Sequence, residues 1–284
     1  DQDLLIPSDR DLPVAFWRND GPDSAGSPVL VDDAADLGAA VLMDGMGLDS
    51  ADLNGDGLLD YCITDTGNTV CLVGEDGLYS DRSLAMGLTP ANPPAPISTI
   101  GWSIDLADYD NDGALDAAQV TGPMFDAAVT DWPDLLWFGD GDGTFTDVSA
   151  ATGFDTVVPN YGLASADFDG DGFLDLLRGS PGRPPSLWMN RCGAGAWLEV
   201  DLDGPSGNRT ALGAQVEVTY GDRTMLREVN GPRGNAQTPP VLHFGVGDVE
   251  VIDLVRIRWP DGTITEATAV PPNRRLSVPY PQEG

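Results

Sequence analysis

The stretch ADLNGDGLLD, from Ala51 to Asp60, has two counterparts: ADYDNDGALD from Ala107 to Asp116 and ADFDGDGFLD from Ala166 to Asp175. Counted from the residue after the alanine, each has Asp at position 1, Asp or Asn at 3, Asp at 5, Gly at 6 and Asp at 9. The first set is Asp52, Asn54, Asp56 and Asp60; the second is Asp108, Asp110, Asp112 and Asp116. Asp167, Asp169, Asp171 and Asp175 make the third. In a tight loop, alternate side chains turn toward one point and the glycine permits the bend. The carbonyls at position 7, of Leu58, Ala114 and Phe173, then face the same centre. Carboxylates gathered this way repel one another unless a hard cation sits among them. Oxygen-only ligands in a flexible loop favour calcium over zinc or copper, and over magnesium with its tighter octahedron. The expectation is about three calcium ions, with water completing each shell.

An EF-hand starts in the same way but needs glutamate at position 12 and flanking helices. Position 12 here holds Ile63, Gln119 or Arg178, and the flanks YCITD and LDLLRG read as short strands. Asp-Gly clusters also make ordinary solvated turns. Three copies with identical spacing, each after alanine and before apolar residues, argue against that reading.

The elements that must hold these loops repeat with them. The copies start at Asp52, Asp108 and Asp167, a period of 56 to 59 residues. Aromatic segments ending in a turn recur as AFWRNDG, LLWFGDGDG and SLWMNRCG, with CLVGEDG a weaker version. A glycine-bearing stretch precedes each motif: GMGLDS, GWSIDL and YGLAS. Each unit reads as a strand into the acidic loop, a second strand, a third ending at a Gly-Asp turn, and a fourth. Four strands in under 60 residues suit a propeller blade.

The loops DLNGDGLLD, DYDNDGALD and DFDGDGFLD, with WFGDGDGTFTDVSAATG, resemble the FG-GAP or VCBS repeats of integrin-type β-propellers over about residues 12 to 190. The resemblance implies calcium held by the residues named, a propeller usually of seven blades, and an extracellular or periplasmic place. Seven blades at this period need about 400 residues. The stretch before the next domain holds roughly three and a half. Either an N-terminal part lies outside this chain, or another polypeptide or self-association supplies the missing blades. The incomplete first and last units argue against a closed four-bladed ring, and open blade edges would be templates for aggregation.

After Asn190 the motif stops. WLEVDL, GAQVEVTY, TMLREV, LHFGVG, VIDLVRIRWPDG and RRLSVPY read as strands divided by Gly-rich turns, a small β-sandwich-like domain. SGNRTALGAQVEV, REVNG, LHFGVG and VRIRWPDG resemble the ASPIC/UnbV domain of cartilage acidic proteins and their bacterial relatives. Gln215 stands where that family usually has arginine, and NGPRGNAQ departs from its glycine-rich stretch. The whole chain therefore reads as all-β: blades over 1–195 and the second domain over 196–284.

The net charge of −32, with no lysine among 14 basic residues, excludes polyanion binding and favours cations. The longest apolar runs fall far short of the ~20 residues that span a bilayer, so no membrane insertion is expected. The chain opens at Asp1 without methionine, which reads as processed or trimmed. Cys62 and Cys71 flank ITDTGNTV, a hairpin that would bring the sulfurs together as a disulfide, with two buried thiols as the alternative. Cys192 is then free or intermolecular. Asn208-Arg209-Thr210 fits the N-glycosylation pattern.

Catalytic material is scarce. His243, the one histidine, lies between apolar residues and reads as structural. No GxSxG elbow or phosphate loop appears. Trp102 and Trp132 could stack on sugar, although blade packing explains them more simply. The reading is a secreted, extracellular or periplasmic calcium-binding scaffold that offers loops to a carbohydrate or extracellular protein. The alternatives are a polysaccharide-acting enzyme or carbohydrate-binding subunit, and a subunit completing a partner's propeller.

Overall fold

Alternation along each strand sends neighbouring residues to opposite faces, and in this chain most faces are covered. The structure, a computed structural model, describes residues 2–10, 12–88, 99–123, 133–191, 193–231, 233, 235 and 237–281. Cys192 and Trp132 lie outside the described residues, as does part of NGPRGNAQ. The chain begins with β1 (Leu4–Ile6), β2 (Leu12–Pro13), β3 (Ala15–Pro22), β4 (Pro28–Asp32) and β5 (Leu42–Met43). Of these, β1, β3 and β4 form one sheet, and β2 pairs with β5.

The second sheet is a four-stranded meander of β6 (Leu48–Ala51), β7 (Asp60–Thr64), β8 (Thr69–Glu75) and β9 (Leu78–Asp81), followed by the single-turn helix α1 (Ser83–Met86). The third repeats it: β10 (Thr99–Ala107), β11 (Asp116–Pro123), β12 (Leu135–Gly139), β13 (Phe145–Asp147) and then α2 (Ser149–Thr152). In the fourth, β14 (Gly162–Ala166), β15 (Asp175–Gly179) and β16 (Ser186–Trp188) pair in order. After β9 and β13 the chain thus makes single helical turns, ended by left-handed Gly87 and Gly153.

Successive sheets pack face to face. From β7 and β8, Ile63, Val70 and Leu72 join Val14, Phe16 and Met43 of the opening segment in one core. Their neighbours Cys62 and Cys71 point the other way, into a core with Ile104, Leu106, Ala117 and Trp137 of the third sheet. On that sheet Ala118, Val120 and Leu136 turn to the opposite side and meet Leu163, Leu174 and Leu176 of the fourth. All eight residues of β11 are buried because both its faces are covered. The first sheet differs. Leu4, Ile6 and Leu30 are 49%, 47% and 39% exposed, and the pairings Leu4↔Trp17 and Asn19↔Leu30 put them on the face opposite Phe16. No sheet among the described residues is closed into a barrel or propeller.

The C-terminal segment builds two further sheets. One joins β20 (Val241–Gly247), β17 (Ala196–Asp203) and β23 (Arg274–Pro279); the other joins β19 (Arg223–Glu228), β18 (Gln215–Tyr220), β21 (Ile252–Arg258) and β22 (Ile264–Val270). Leu198, Val200 and Phe244 of the first share a core with Val216, Val218, Val255 and Ile257 of the second. The predicted strands are present, and ITEATAV adds β22, a mostly exposed edge strand without an apolar run. The pairing of β17 with β23 is parallel, across the full length of the segment. The protein is predominantly β-strand throughout.

Candidate metal centres

Each acidic loop is a hairpin connection with the same closure. Ala51 pairs with Asp60, Ala107 with Asp116 and Ala166 with Asp175, so the alanine and the position-9 aspartate face each other where the loop begins and ends. The position-9 carboxylate then ties together two further pieces of its sheet. Asp60 accepts from the amides of Leu53 and Gly74, both at 2.8 Å. Asp116 does the same with Tyr109 at 2.7 Å and Gly139 at 2.9 Å. Asp175 takes Phe168 at 3.0 Å and Asn190 at 2.7 Å. Gly74, Gly139 and Asn190 lie within the recurring segments CLVGEDG, LLWFGDGDG and SLWMNRCG, so those segments carry the third strands held against the loops.

The turn itself is set by left-handed residues. Gly57, Gly113 and Gly172 at position 6 have φ of 84°, 90° and 90°, a region that side chains with a Cβ rarely occupy. The position-5 carboxylates fold onto this turn: Asp56 accepts from Leu58 N at 2.9 Å, Asp112 from Ala114 N at 2.7 Å, and Asp171 from Phe173 N at 3.0 Å.

Loops two and three bring three carboxylates together. Asp108, Asp110 and Asp116 each offer an oxygen within 4.8 Å of the others, and Asp167, Asp169 and Asp175 do the same. Asp112 and Asp171 are not part of these groups. In loop one Asn54 replaces the middle carboxylate, and its amide donates to Asp56 Oδ2 and to the Gly74 carbonyl, both at 3.1 Å.

The electrostatics single out loop two. Asp108 and Asp116 are buried, and burial pushes Asp108 up to about 7. Burial, reinforced by the neighbouring Asp108 charge, pushes Asp116 up to about 9. Such rises measure how costly it is to ionise these groups without a compensating charge. Asp60 is raised to about 6 by burial, and Asp175 rises for the same reason. In loops one and three, both oxygens of the position-1 carboxylate accept amides, as for Asp167 with Gly170 and Gly172. In loop two only Asp108 Oδ2 does, from Gly113 at 2.8 Å. Its Oδ1 is buried without a partner. A buried carboxylate oxygen with no donor beside two more carboxylates fits a hard cation.

Sequence reading missed a second acidic pair. Asp49 and Asp105 each stand three residues before a position-1 aspartate, on the first strands of their sheets. Both are buried and pair with Arg233, Asp105 at 3.3 Å. The signal was available in GMGLDS and GWSIDL; the third unit has Ala164 there. Arg233 belongs to the altered NGPRGNAQ stretch, so that departure carries a contact to two repeats. A cavity of about 370 Å³ lies beside this cluster, between the first strands of three sheets and the C-terminal segment; Ser165, Glu199, Arg227 and His243 also line it. Its acids are engaged: Glu199 accepts from Arg275 at 2.7 Å.

The remaining expectations fall on structural positions. Cys62 and Cys71 are joined by a disulfide, directly opposite each other on β7 and β8. His243 is buried, with Nε2 2.7 Å from Asn111 Oδ1. Trp102 packs against Tyr161, the rings tilted by 35° with centroids 4.6 Å apart, and donates to the Gly122 carbonyl.

Comparison with known proteins gives this arrangement a family. Residues 52–118 and 127–178 match the FG-GAP-like repeat, and residues 204–284 match the ASPIC and UnbV domain. The chain contains FG-GAP-like repeats and an ASPIC/UnbV domain and is homologous to members of the cartilage acidic protein family. It is 31% identical to cartilage acidic protein 1 of Xenopus tropicalis over 278 residues, covering 91% of this chain and 40% of that protein. Against the Mus musculus protein it is 27% identical over 270 residues, covering 91% of this chain and 41% of that one. The chain thus spans 40% to 41% of the length of these curated relatives. Among solved structures, a lectin of Agrocybe aegerita that recognises non-reducing terminal N-acetylglucosamine superposes with a TM-score of 0.30 and 19% identity, covering 63% of this chain and 47% of the lectin. The V. cholerae biofilm matrix protein Bap1 superposes with a TM-score of 0.31 and 11% identity, covering 94% of this chain and 58% of that protein. No helix among the described residues is long and apolar enough to cross a membrane.

Proposed function

We propose that this chain is part of an extracellular or periplasmic scaffold whose stacked sheets are propeller blades stabilised by calcium at the acidic loops. The observation that carries the reading is Asp108: fully buried, beside Asp110 and Asp116, with Oδ1 lacking any donor. Calcium would supply the positive charge that lets these carboxylates stay ionised together. The ligands are the side chains at positions 1, 3, 5 and 9 with the carbonyls of Leu58, Ala114 and Phe173. Asp56, Asp112 and Asp171 would turn from their own loop amides toward the ion. The position-9 aspartates also hold the third strands, so occupancy and sheet integrity are coupled. A buried disulfide and the likeness to proteins named for cartilage support a place outside the cytoplasm. In this reading the domain boundary lies near residue 195, and the exposed loops offer surfaces to an extracellular protein or a carbohydrate.

The test is a thermal melt of the chain in calcium and in chelator, beside isothermal titration of the chelated protein with calcium. Binding of about three ions with a rise in Tm supports the reading. Absence of binding at millimolar calcium overturns it.

A second reading concerns assembly. The exposed Leu4, Ile6 and Leu30 share one face of the first sheet, whereas the other sheets bury the faces turned to their neighbours. That face suits a further blade, from a longer form of the polypeptide or from a partner chain. Light scattering of the isolated chain tests this, with self-association expected and a well-behaved monomer counting against it.

A further inference from the structure

We infer that loop two also acts as a calcium-set latch for the C-terminal domain; this rests on the calcium reading above. The inference starts from position 4 of the acidic loops. Loops one and three have Gly55 and Gly170 there, but loop two has Asn111. Asn111 keeps the left-handed backbone of the glycines, with φ of 61°, and is completely buried. A non-glycine residue in that region is uncommon, though asparagine tolerates it best.

Asn111 uses its backbone carbonyl and both polar atoms of its side chain to hold other parts of the chain. Its carbonyl accepts from Gly247 N at 2.9 Å, at the end of β20. Its side-chain Nδ2 donates to the Gly172 carbonyl of loop three at 2.9 Å. Its Oδ1 is therefore an acceptor, and His243 Nε2, 2.7 Å away, is the donor. One residue thus ties loop two to loop three and to the C-terminal domain.

The surrounding backbone is shaped for this contact. A Cβ on Gly245 would lie 2.1 Å from Asp108 Oδ2 and 2.4 Å from Asn111 Cα. One on Gly195 would lie 2.1 Å from the Asn111 carbonyl oxygen. Arg223 reaches across from β19 and donates to the Asp112 carbonyl at 3.2 Å. Loop one is different, since Gly55 and Gly57 have no atom within 4 Å of where a Cβ would stand. Loop three also meets the domain, since a Cβ on Gly172 would overlap the Trp197 indole of β17. Loop two is distinguished by the hydrogen bonds that Asn111 and the Asp112 carbonyl make to β20 and β19.

Asn111 lies between Asp110 and Asp112, so its position follows the position of those ligands. Without a cation, Asp108, Asp110 and Asp116 have no common centre to converge on, and any rearrangement of the loop moves the three groups that Asn111 presents. Calcium at loop two therefore fixes the docking surface for β20, and its removal loosens that surface. The loop's second role is to report ion occupancy to the neighbouring domain.

Amide hydrogen exchange of the full chain tests the latch, because the Gly247 amide is itself a donor to Asn111. Calcium should slow exchange across Val241–Gly247 in the native chain. In Asn111→Gly, which installs the residue of the other two loops, calcium titration should still show binding at loop two. The calcium-dependent protection of Val241–Gly247 should then fall by roughly fivefold, the loss of the one side-chain hydrogen bond that Asn111 makes to β20. His243→Leu, which leaves the loop sequence intact, should lose part of the same protection and serves if Asn111→Gly does not fold. Calcium binding with equal protection in both variants, or with no protection of β20 in the native chain, overturns the latch alone. No calcium binding to the native chain overturns the calcium reading and the latch with it.

Discussion

Arg178 donates to Asp134 across 2.6 Å, and both side chains are almost wholly out of solvent. The guanidinium also donates to Thr156 Oγ1 at 2.9 Å and to the Phe154 carbonyl at 3.2 Å, and lies 4.5–4.6 Å from the ring centroids of Trp188 and Phe154. Asp134 accepts in turn from Thr121 N and Asn160 Nδ2. The pair joins the third sheet to the fourth. Replacing Arg178 with methionine leaves a buried carboxylate without its cation, a change expected to cost about 3–5 kcal/mol. Urea unfolding should show the midpoint fall sharply, with part of the loss restored by adding Asp134→Asn. An unchanged midpoint would show that the pair contributes nothing to stability.

Loop three tests the ligand assignment with little disturbance to packing, since Asp171 is exposed. Asp171→Ala should leave the unfolding free energy in chelator within about 1 kcal/mol of the native chain's, because only an exposed turn contact is lost. The rise in Tm on adding calcium should shrink. An unaltered calcium response would remove Asp171 from the ligand set.

Arg233 serves two buried carboxylates from different sheets, Asp49 and Asp105. Arg233→Ala strands both charges and should destabilise by about 3–5 kcal/mol. A double-mutant cycle with Asp105→Asn should show the two changes to be far from additive. Additivity within about 0.5 kcal/mol would mean the contact is energetically silent.

The disulfide between Cys62 and Cys71 spans a sequence separation of 9 and lies in the core shared by the second and third sheets. Loop-closure entropy for so short a ring gives about 2–3 kcal/mol. The double variant Cys62→Ala, Cys71→Ala should therefore melt at lower temperature, by more than the loss of two small buried side chains alone would cause. Because both cysteines are buried, mild reductant should leave the folded chain oxidised and act only as it unfolds. Rapid reduction of the native chain would contradict that placement.

Much of this protein is local in origin, and that part was legible in the sequence. The acidic loops announce themselves because their geometry is made by ten neighbouring residues: aspartates that accept nearby amides, and glycines at positive φ. The hairpin of Cys62 and Cys71 was readable for the same reason, a Gly-Asn turn between alternating strands. The cations that face the buried acids were not. Nothing near Asp49 hints at Arg233, which arrives from 184 residues away, and Arg178 could be seen only as a residue that failed to be a glutamate.

Spacing and residue type determined the repeat, the strand-loop-strand units and which acidic side chains share each loop, because each depends on interactions within a few residues. The tertiary structure alone decided which loop is buried, which faces stay open and what Asn111 touches. Those depend on how sheets stack and where the C-terminal domain comes to rest. Asparagine and glycine both satisfy the local backbone at position 4. Only the arrival of His243, Gly245 and Gly247 makes the difference between them matter.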